Sequence, residues 1–171
     1  MLSDKLQDAI NEQINAEYHS GYLYLAMAAY METLNLAGSS HWMRLQAQEE
    51  VLHGMKLFDY MLERGGQIKL TEVAAPPVAW NSPLVAFEEA LKHEQYMTQR
   101  INGLAKLALD ENDFATNNVM QWYVTEQVEE ESNVDGIVQQ LKLVGENGPG
   151  IFMIDRELLQ RAAAADPGAT A

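Results

Sequence analysis

The sequence predicts an all-α fold, a four-helix bundle in which one connection is much longer than the others. The composition is that of a globular chain, since 47% of the 171 residues are hydrophobic and only 5 are proline. Apolar residues recur at steps of three and four along four long segments, which is the spacing of an amphipathic helix. Short loops join these segments except at residues 66–81.

The first helix is predicted over residues 4–34, with Ser3 as its N-cap. Gly38 is expected to interrupt this helical pattern, because glycine weakens a helix interior. A neighbouring serine, Ser39 or Ser40, is then expected to cap the second helix.

The second helix is predicted to end at the pair Gly65–Gly66. The linker that follows, 66–81, cannot be helical at Pro76–Pro77. Extended, this linker reaches roughly 50 Å, whereas a helix of about 28 residues is roughly 42 Å long. It can therefore cross the whole bundle, which leaves the second and third helices parallel.

The third helix is predicted over about 83–109, because Ser82 is a favourable N-cap and Pro83 suits the first helical position. Asp113 is expected to cap the fourth helix, which continues to about Val144. The short connection between these helices predicts that they pack antiparallel.

After a turn at 145–150, the sequence predicts a short helix over about 151–163 and a flexible tail over 164–171. The whole chain, 1–171, is interpreted as a single domain with its bundle at about 4–144, because the length suits one core. It shows neither a signal-peptide pattern nor an apolar stretch of about 18 residues, so a cytoplasmic location is expected.

The formal net charge of -14 favours cationic ligands and argues against nucleic acid or an anionic membrane as a partner. No cysteine is present, which excludes disulfides, zinc ribbons and thiolate-bound iron. Any bound metal must therefore be held by histidine, glutamate, aspartate or glutamine. Such ligands suit iron, manganese, magnesium or calcium.

Each long helix carries a candidate metal ligand near its middle, where the apolar stripe should be uninterrupted. Glu50 and His53 stand at i and i+3 on the second helix, so both side chains can approach one ion. Gln127 and Glu130 repeat this spacing on the fourth helix. Antiparallel packing of neighbouring helices would bring these mid-helix positions to the same height in the bundle. The full set is Glu17, Glu50, His53, Glu94, Gln127 and Glu130.

This set suits a pair of metal ions. Buried carboxylates repel one another and are costly unless cations neutralise them. Oxygen and imidazole ligands accept Fe²⁺, and a bridging glutamate would hold two ions close enough for one O₂ to take an electron from each. Taken singly, each glutamate also fits a solvated helix face, so the prediction depends on their joint placement on four helices.

Eight stretches, spread over roughly residues 3–163, make the sequence resemble non-haem bacterial and archaeal ferritins. The stretches are Gln13–Glu17, Tyr22–Leu25, Trp42–Arg44, Gln48–His53, Glu63–Gly66, Phe114–Thr116, Gln121–Tyr123 and Glu126–Glu131. The resemblance implies a ferritin-like bundle with a short fifth helix at its C-terminal end. It also implies ferroxidase activity on Fe²⁺ and O₂, and storage of Fe³⁺ as a mineral inside a homo-oligomeric shell of about 24 subunits.

The resemblance assigns roles to single residues. The first iron site would consist of Glu17, Glu50 and His53, with Glu50 bridging to a second ion. Tyr24 matches a tyrosine beside the pair, where an electron donor would lie. Trp122 matches a tryptophan with a similar suggested role, and plain core packing is the alternative for it.

The second iron site would consist of Glu94 and Glu130, with Gln127 nearby. No haem is expected, because haem-containing bacterioferritins carry a second Glu-x-x-His pair on the fourth helix. They also place a methionine where this chain has Val51. Three further glutamates match the third iron site of bacterial ferritins, in which Glu130 is shared. They are Glu49, Glu126 and Glu129.

Three alternatives remain at this point. A diiron oxygenase or peroxidase of the same fold usually carries two Glu-x-x-His pairs, and this chain has one. A DNA-protecting mini-ferritin would normally lack the fifth helix and often carries a basic tail, whereas the only charge in this tail is Asp166. The third alternative is a bundle whose buried acids are satisfied without metal.

Overall fold

The computed structural model describes residues 2–163 and, over that range, contains five α-helices and no strand. The prediction of an all-α fold is therefore confirmed. The predicted tail at 164–171 lies outside the described residues, and the single-domain interpretation stays a prediction. The helices are α1 (Asp4–Thr33), α2 (Ala37–Glu63), α3 (Pro83–Asp110), α4 (Phe114–Val144) and α5 (Gly148–Leu158).

Hydrogen bonds between helices fix the directions of the four long helices. The loop at 34–36 makes α1 and α2 antiparallel, and α1 also runs antiparallel to α3. It follows that α2 and α3 are parallel, which confirms the predicted crossover. The contacts are Gln13–Arg100 and Tyr24–Glu94 between α1 and α3, and Gln46–Glu130 and His53–Tyr123 between α2 and α4.

The linker between α2 and α3, residues 64–82, runs along the side of α1. Asn11 donates a hydrogen bond to the Gln67 carbonyl at 2.9 Å, and one turn later Asn15 donates to the Thr71 hydroxyl at 2.9 Å. Both contacts advance in the same direction, so the linker travels from the start of α1 towards its end. This path returns the chain to the end of the bundle where α2 began.

Three N-caps are present as predicted. Ser3 and Ser82 each accept a hydrogen bond from the backbone amide three residues on, at 3.2 Å. Asp113 accepts one at 2.9 Å and also pairs at 2.7 Å with Arg64, the residue that follows α2. Hydrogen bonding from Arg64 lowers the pKa of Asp113 to about 2, so this cap remains charged at neutral pH.

The start of α2 differs from the prediction. The helical path breaks at Asn35, which has a φ of 59°, and Gly38, Ser39 and Ser40 all lie inside α2. Asp155 of α5 accepts hydrogen bonds from the amides of Gly38 and Ser39, at 3.0 and 2.7 Å. A Cβ at Gly38 would lie 1.7 Å from the Asp155 carbonyl oxygen. Gly38 is therefore a site of close packing and not a helix break.

The fifth helix begins and ends earlier than predicted. It spans Gly148–Leu158, whereas the sequence predicted about 151–163. Pro149 lies in its first turn, where the missing amide hydrogen costs nothing. Beyond the helix the chain turns back towards α2, where the His41 imidazole donates to the Arg161 carbonyl at 2.9 Å.

The apolar core consists of two clusters, one towards each end of the bundle. One surrounds Trp42 and Phe87, and the other surrounds Leu57 and Met120. Buried polar and charged side chains lie between them, at mid-length of the four long helices. Among the described residues, no helix is both long enough and apolar enough to cross a membrane.

Candidate metal centre

The polar layer at mid-bundle takes residues from all four long helices. The apolar clusters close it on two sides, so its side chains have almost no contact with bulk water. All six ligands predicted for the pair of ions lie in it. The residues of this layer, each at most 7% exposed, are Gln13, Glu17, Ser20, Gln46, Glu50, His53, Glu94, Gln127 and Glu130.

Glu17, Glu50 and His53 form a compact group in which one ligand atom of each lies within 4.8 Å of the others. The i, i+3 spacing on α2 points both of its side chains towards Glu17 of α1. Burial, with a smaller contribution from Lys56, lowers the pKa of His53 to about 4. The imidazole is therefore neutral at pH 7, which is the form that binds a metal ion.

His53 also belongs to a second group, with Glu126 and Glu130 of α4, whose ligand atoms again lie within 4.8 Å of one another. Burial, together with the charges of Glu94 and Glu49, raises the pKa of Glu130 to about 8. Because the two groups share His53, they form one continuous set of donors from α1 to α4.

Glu94 of α3 is 1% exposed and is held by two hydrogen-bond donors. The Tyr24 hydroxyl donates to its Oε1, and the Gln127 amide donates to its Oε2 at 3.3 Å. Burial raises the pKa of Glu94, and these two hydrogen bonds oppose that shift. The structure thus brings the predicted residues Glu94, Gln127 and Tyr24 into contact.

Glu50 is the carboxylate on which the charges of the other three glutamates act together. Burial raises its pKa well above the usual value, and the charges of Glu94, Glu17 and Glu130 raise it further. Burial likewise raises the pKa of Glu17, to about 7. Four carboxylates from four helices therefore share one layer that excludes water, and either protons or cations must relieve their repulsion.

The glutamates predicted for a third site surround a pocket of about 430 Å³ beside this layer. Glu129 is exposed and Glu126 is half-buried, while Glu49 forms an ion pair of 2.5 Å with Arg161. Glu130 also lines the pocket, so the pocket and the buried layer share a wall. The structure thus places the predicted third-site residues around one space.

Two buried glutamines hold the site carboxylates, and the sequence analysis did not identify them. Gln13 donates to Glu17 at 2.9 Å, and Gln46 donates to Glu50 at 3.1 Å and to Glu130 at 2.6 Å. Each glutamine stands four residues before a predicted ligand on the same helix face. That spacing was the signal that could have identified them.

Each glutamine in turn accepts a hydrogen bond from an arginine. Arg100 donates to the side-chain oxygen of Gln13 at 3.0 Å, and Arg161 donates to that of Gln46 at 2.9 Å. A guanidinium group can only donate, so it fixes which end of each amide faces the carboxylates. No signal in the sequence identifies these arginines, because they come from distant segments of the chain.

Aromatic rings close the site next to His53. The Trp122 ring lies edge-on to the imidazole with 5.3 Å between centroids, and the Lys56 ammonium group lies 4.4 Å from the centroid of the same indole. The Tyr123 hydroxyl donates to the His53 carbonyl at 2.7 Å. Trp122 therefore contacts a candidate ligand, and it also packs against Tyr123.

The donors of this layer are carboxylates and one neutral imidazole. In proteins such donors hold iron, manganese and zinc. Their number and closeness exceed what one ion needs, because two groups of three share only His53. The arrangement is therefore suited to more than one divalent cation.

Comparison with known proteins supports the same interpretation. The ferritin family, described as a ferritin-like domain, matches residues 7–144. The bacterial non-heme ferritin of Bacteroides fragilis is 43% identical over 161 residues, which cover 94% of this chain and 100% of that protein. The bacterial non-heme ferritin of Escherichia coli is 39% identical over 158 residues, covering 92% and 96%.

Solved structures agree with the sequence comparison. The open pore ferritin of the hyperthermophilic archaeon Archaeoglobus fulgidus is 50% identical with a TM-score of 0.94, covering 95% of this chain and 100% of that one. A humanized archaeal ferritin is 48% identical with a TM-score of 0.95, covering 96% and 100%. The similarity in fold and in sequence therefore extends over nearly the whole chain.

Proposed function

The chain belongs to the ferritin family, and on that premise we propose that it stores iron and that each subunit oxidises Fe²⁺ with O₂. The observation that carries this proposal is the buried group of Glu17, Glu50 and His53. Ionised carboxylates that are held out of water require a compensating cation. Fe²⁺ supplies that positive charge, and the same ion is the substrate of the oxidation.

The first Fe²⁺ binds between Glu17, Glu50 and His53 in this proposal, and Glu50 bridges to the second. The bridging role is supported by the position of Glu50, where the charges of Glu17, Glu94 and Glu130 all act on it. His53 supports it as well, because a neutral imidazole offers a lone pair without competition from a proton.

The second Fe²⁺ binds to Glu94 and Glu130. Gln127 acts here by holding Glu94, since its amide hydrogen points at the carboxylate. Two Fe²⁺ ions supply two electrons to one O₂, each becoming Fe³⁺, and carboxylate oxygens bind the more highly charged ion more strongly. Oxidation thus makes use of donors that the bundle already holds in place.

Tyr24 is proposed as an accessory electron donor. Its hydroxyl lies against Glu94, which can accept the phenolic proton when an electron leaves the ring. Trp122 is proposed to shield His53 from water, because the indole ring covers the imidazole and packs on Tyr123.

The third site is proposed at the pocket formed by Glu49, Glu126, Glu129 and Glu130, where the product Fe³⁺ would move next. Mineral formation requires an enclosed space, so we infer a homo-oligomeric shell, of about 24 subunits in this family. Exposed apolar side chains on α1 and α2 support subunit contacts there. They are Tyr22, Leu25, Val51, Met55 and Leu62.

The experiment that tests this function uses the metal-free assembled protein. Fe²⁺ is added without air, O₂ is then admitted, and Fe³⁺ absorbance and O₂ uptake are recorded together. Glu50→Gln and His53→Ala are each expected to slow the initial oxidation by about tenfold or more, because each removes a ligand of the pair. Glu63→Gln, an exposed change on the same helix, is expected to behave like the unmodified protein.

Undiminished oxidation in both ligand variants would contradict the diiron proposal. Electron microscopy of the same samples distinguishes the related functions, since a storage protein forms a mineral inside a shell and a diiron oxygenase does not. Retention of DNA by the iron-free shell would favour the mini-ferritin alternative. A haem absorption band in the purified protein would contradict the haem-free assignment, and the cytoplasmic location stays a prediction.

A further inference from the structure

Arg161 brings a fixed positive charge to the wall of the third-site pocket. It lies beyond the end of α5, and its guanidinium group pairs with Glu49 at 2.5 Å. The same group donates to Gln46, which in turn donates to Glu50 and Glu130. The arginine thus contacts the pocket directly and reaches the buried layer through one amide.

The position of Arg161 is held from several directions. Its guanidinium group lies 4.5 Å from the centroid of the Trp42 ring, and its backbone carbonyl accepts a hydrogen bond from His41 at 2.9 Å. Its side chain is only 20% exposed. Asp155 anchors the last turn of α5 to the start of α2, shortly before the chain reaches Arg161. The positive charge of Arg161 therefore lies on a segment that is fixed against α2.

A cation of the protein and a bound metal ion would compete in this pocket. Both need Glu49, and a divalent ion held there would lie within a few ångströms of the guanidinium group. Two like charges at such a distance repel strongly where water is partly excluded. The ion must then either displace Arg161 from Glu49 or bind against its charge, and in both cases its affinity falls.

We propose that Arg161 is an internal counter-cation of the third site, which weakens the binding of a third metal ion relative to the buried pair. This inference rests on the proposed function, because it presupposes the pair. A weak third site releases ions readily, so it favours onward movement of Fe³⁺ over its retention beside Glu49 and Glu130.

The test counts metal ions without relying on oxidation. Metal-free shells are titrated calorimetrically with Zn²⁺, which binds carboxylates and imidazole and does not change its oxidation state. The unmodified protein is expected to bind two ions per subunit tightly and a third weakly. Arg161→Gln and Arg161→Met are each expected to bind the third ion about tenfold more tightly or better, because a unit charge has been removed.

Three further proteins make the result specific. Arg161→Lys keeps the charge and is expected to bind the third ion nearly as the unmodified protein does. Arg156→Gln removes an exposed charge of α5 and is the matched control, with no expected change. Adding Glu49→Gln to Arg161→Gln is expected to abolish the increase in affinity for the third ion. Such a loss would show that the more tightly bound ion lies at the third site.

The possible outcomes separate the two proposals. Absence of two tightly bound ions in the unmodified protein would contradict the diiron function. The role of Arg161 would be overturned by a different result. In it, the pair is bound tightly, but Arg161→Gln or Arg161→Met binds the third ion with an affinity within twofold of that of the unmodified protein. A loss of thermal stability without any change in the third affinity would show that Arg161 only docks the C-terminal segment.

Discussion

Gln13 and Gln46 make the same three-part arrangement on two sides of the candidate metal centre. In each, an arginine donates to the amide oxygen, and the amide hydrogens are left to face a buried carboxylate. Because the arginine carries no acceptor, the amide cannot turn around without losing both contacts. At the scale of single residues, the geometry of the candidate ligands is therefore set by neighbouring side chains that are not themselves candidate ligands.

Gln46 is the sharper test of this view, because one amide serves Glu50 and Glu130 together. Gln46→Leu is expected to lower the affinity for the pair of Zn²⁺ ions by about 10–100-fold, since groups that orient metal ligands typically have effects of that size. Calorimetric titration of the metal-free protein measures it directly.

The matched control is Gln48→Leu, a change to the same residue type at an exposed position of α2. Its Zn²⁺ affinity should equal that of the unmodified protein. If Gln46→Leu also binds the pair with unchanged affinity, the amide does not position these carboxylates.

At the scale of elements, the short α5 has a larger role than its length suggests. Its Asp155 carboxylate accepts from the first amides of α2 and from the Ser39 hydroxyl, so it caps a helix that has no cap of its own. The same contact docks the segment that carries Arg161. One carboxylate thus connects the start of α2 to the edge of the candidate metal centre.

Gly38→Ala tests this docking. The added methyl group would lie 1.7 Å from the Asp155 carbonyl oxygen, so α5 must move away and α2 loses its cap. We expect a loss of about 2 kcal/mol or more in the free energy of unfolding, since loss of a cap alone costs about 1 kcal/mol. Denaturant titration gives the value, and limited proteolysis reports release of α5.

Gly103→Ala is the control, and it is expected to change the free energy of unfolding in the opposite direction. Gly103 lies inside α3 with open space around its Cα, so an added methyl group meets nothing within 4 Å. The change should stabilise the protein by about 0.5–1 kcal/mol through helix propensity. Equal effects of the two substitutions would contradict the close packing at Gly38.

At the scale of the whole molecule, the bundle carries a layer of like charge between two apolar clusters. The net charge of -14 adds to the repulsion within it. Without metal, protons must relieve that repulsion, and burial raises the pKa of Glu17 to about 7 and that of Glu130 to about 8. The stability of the metal-free fold is therefore linked to pH.

The direction of this linkage follows from the pKa shifts. The pKa values of Glu17 and Glu130 both lie above those of the unfolded chain. The protonated forms of these two groups therefore contribute fully to the stability of the fold below about pH 4.5, and this contribution is lost as the pH rises through about 7–8. The melting temperature of the metal-free protein is expected to fall by about 5 °C or more between pH 6 and 8.5. Scanning calorimetry at both pH values measures it.

Two comparisons check the cause of that fall. Glu17→Gln should reduce the dependence on pH, whereas the exposed change Glu63→Gln should leave it intact. Saturation with Zn²⁺ should remove most of the dependence, because the cations replace the protons. A melting temperature that rises with pH in the metal-free protein would contradict the buried, protonated carboxylates.

Local patterns in the sequence were sufficient to predict the four long helices, and they indicated which residues are candidate metal ligands. Apolar spacing and the caps at Ser3, Ser82 and Asp113 gave three helix starts, because these signals act within one turn of the chain. The spacing of Glu50 and His53 predicted that they share a face, and they do. Linker length, a property of the chain alone, predicted the crossover.

Only the tertiary structure decided which residues support the site. Gly38 looked like a helix break, but its role depends on Asp155, which lies more than a hundred residues away along the chain. Arg100 and Arg161 likewise carry no local signal, because their partners are brought to them by packing. Helix periodicity is a short-range property, so the sequence determined which helix faces carry the candidate ligands. Long-range packing decided which side chains orient these carboxylates and lie near their charges.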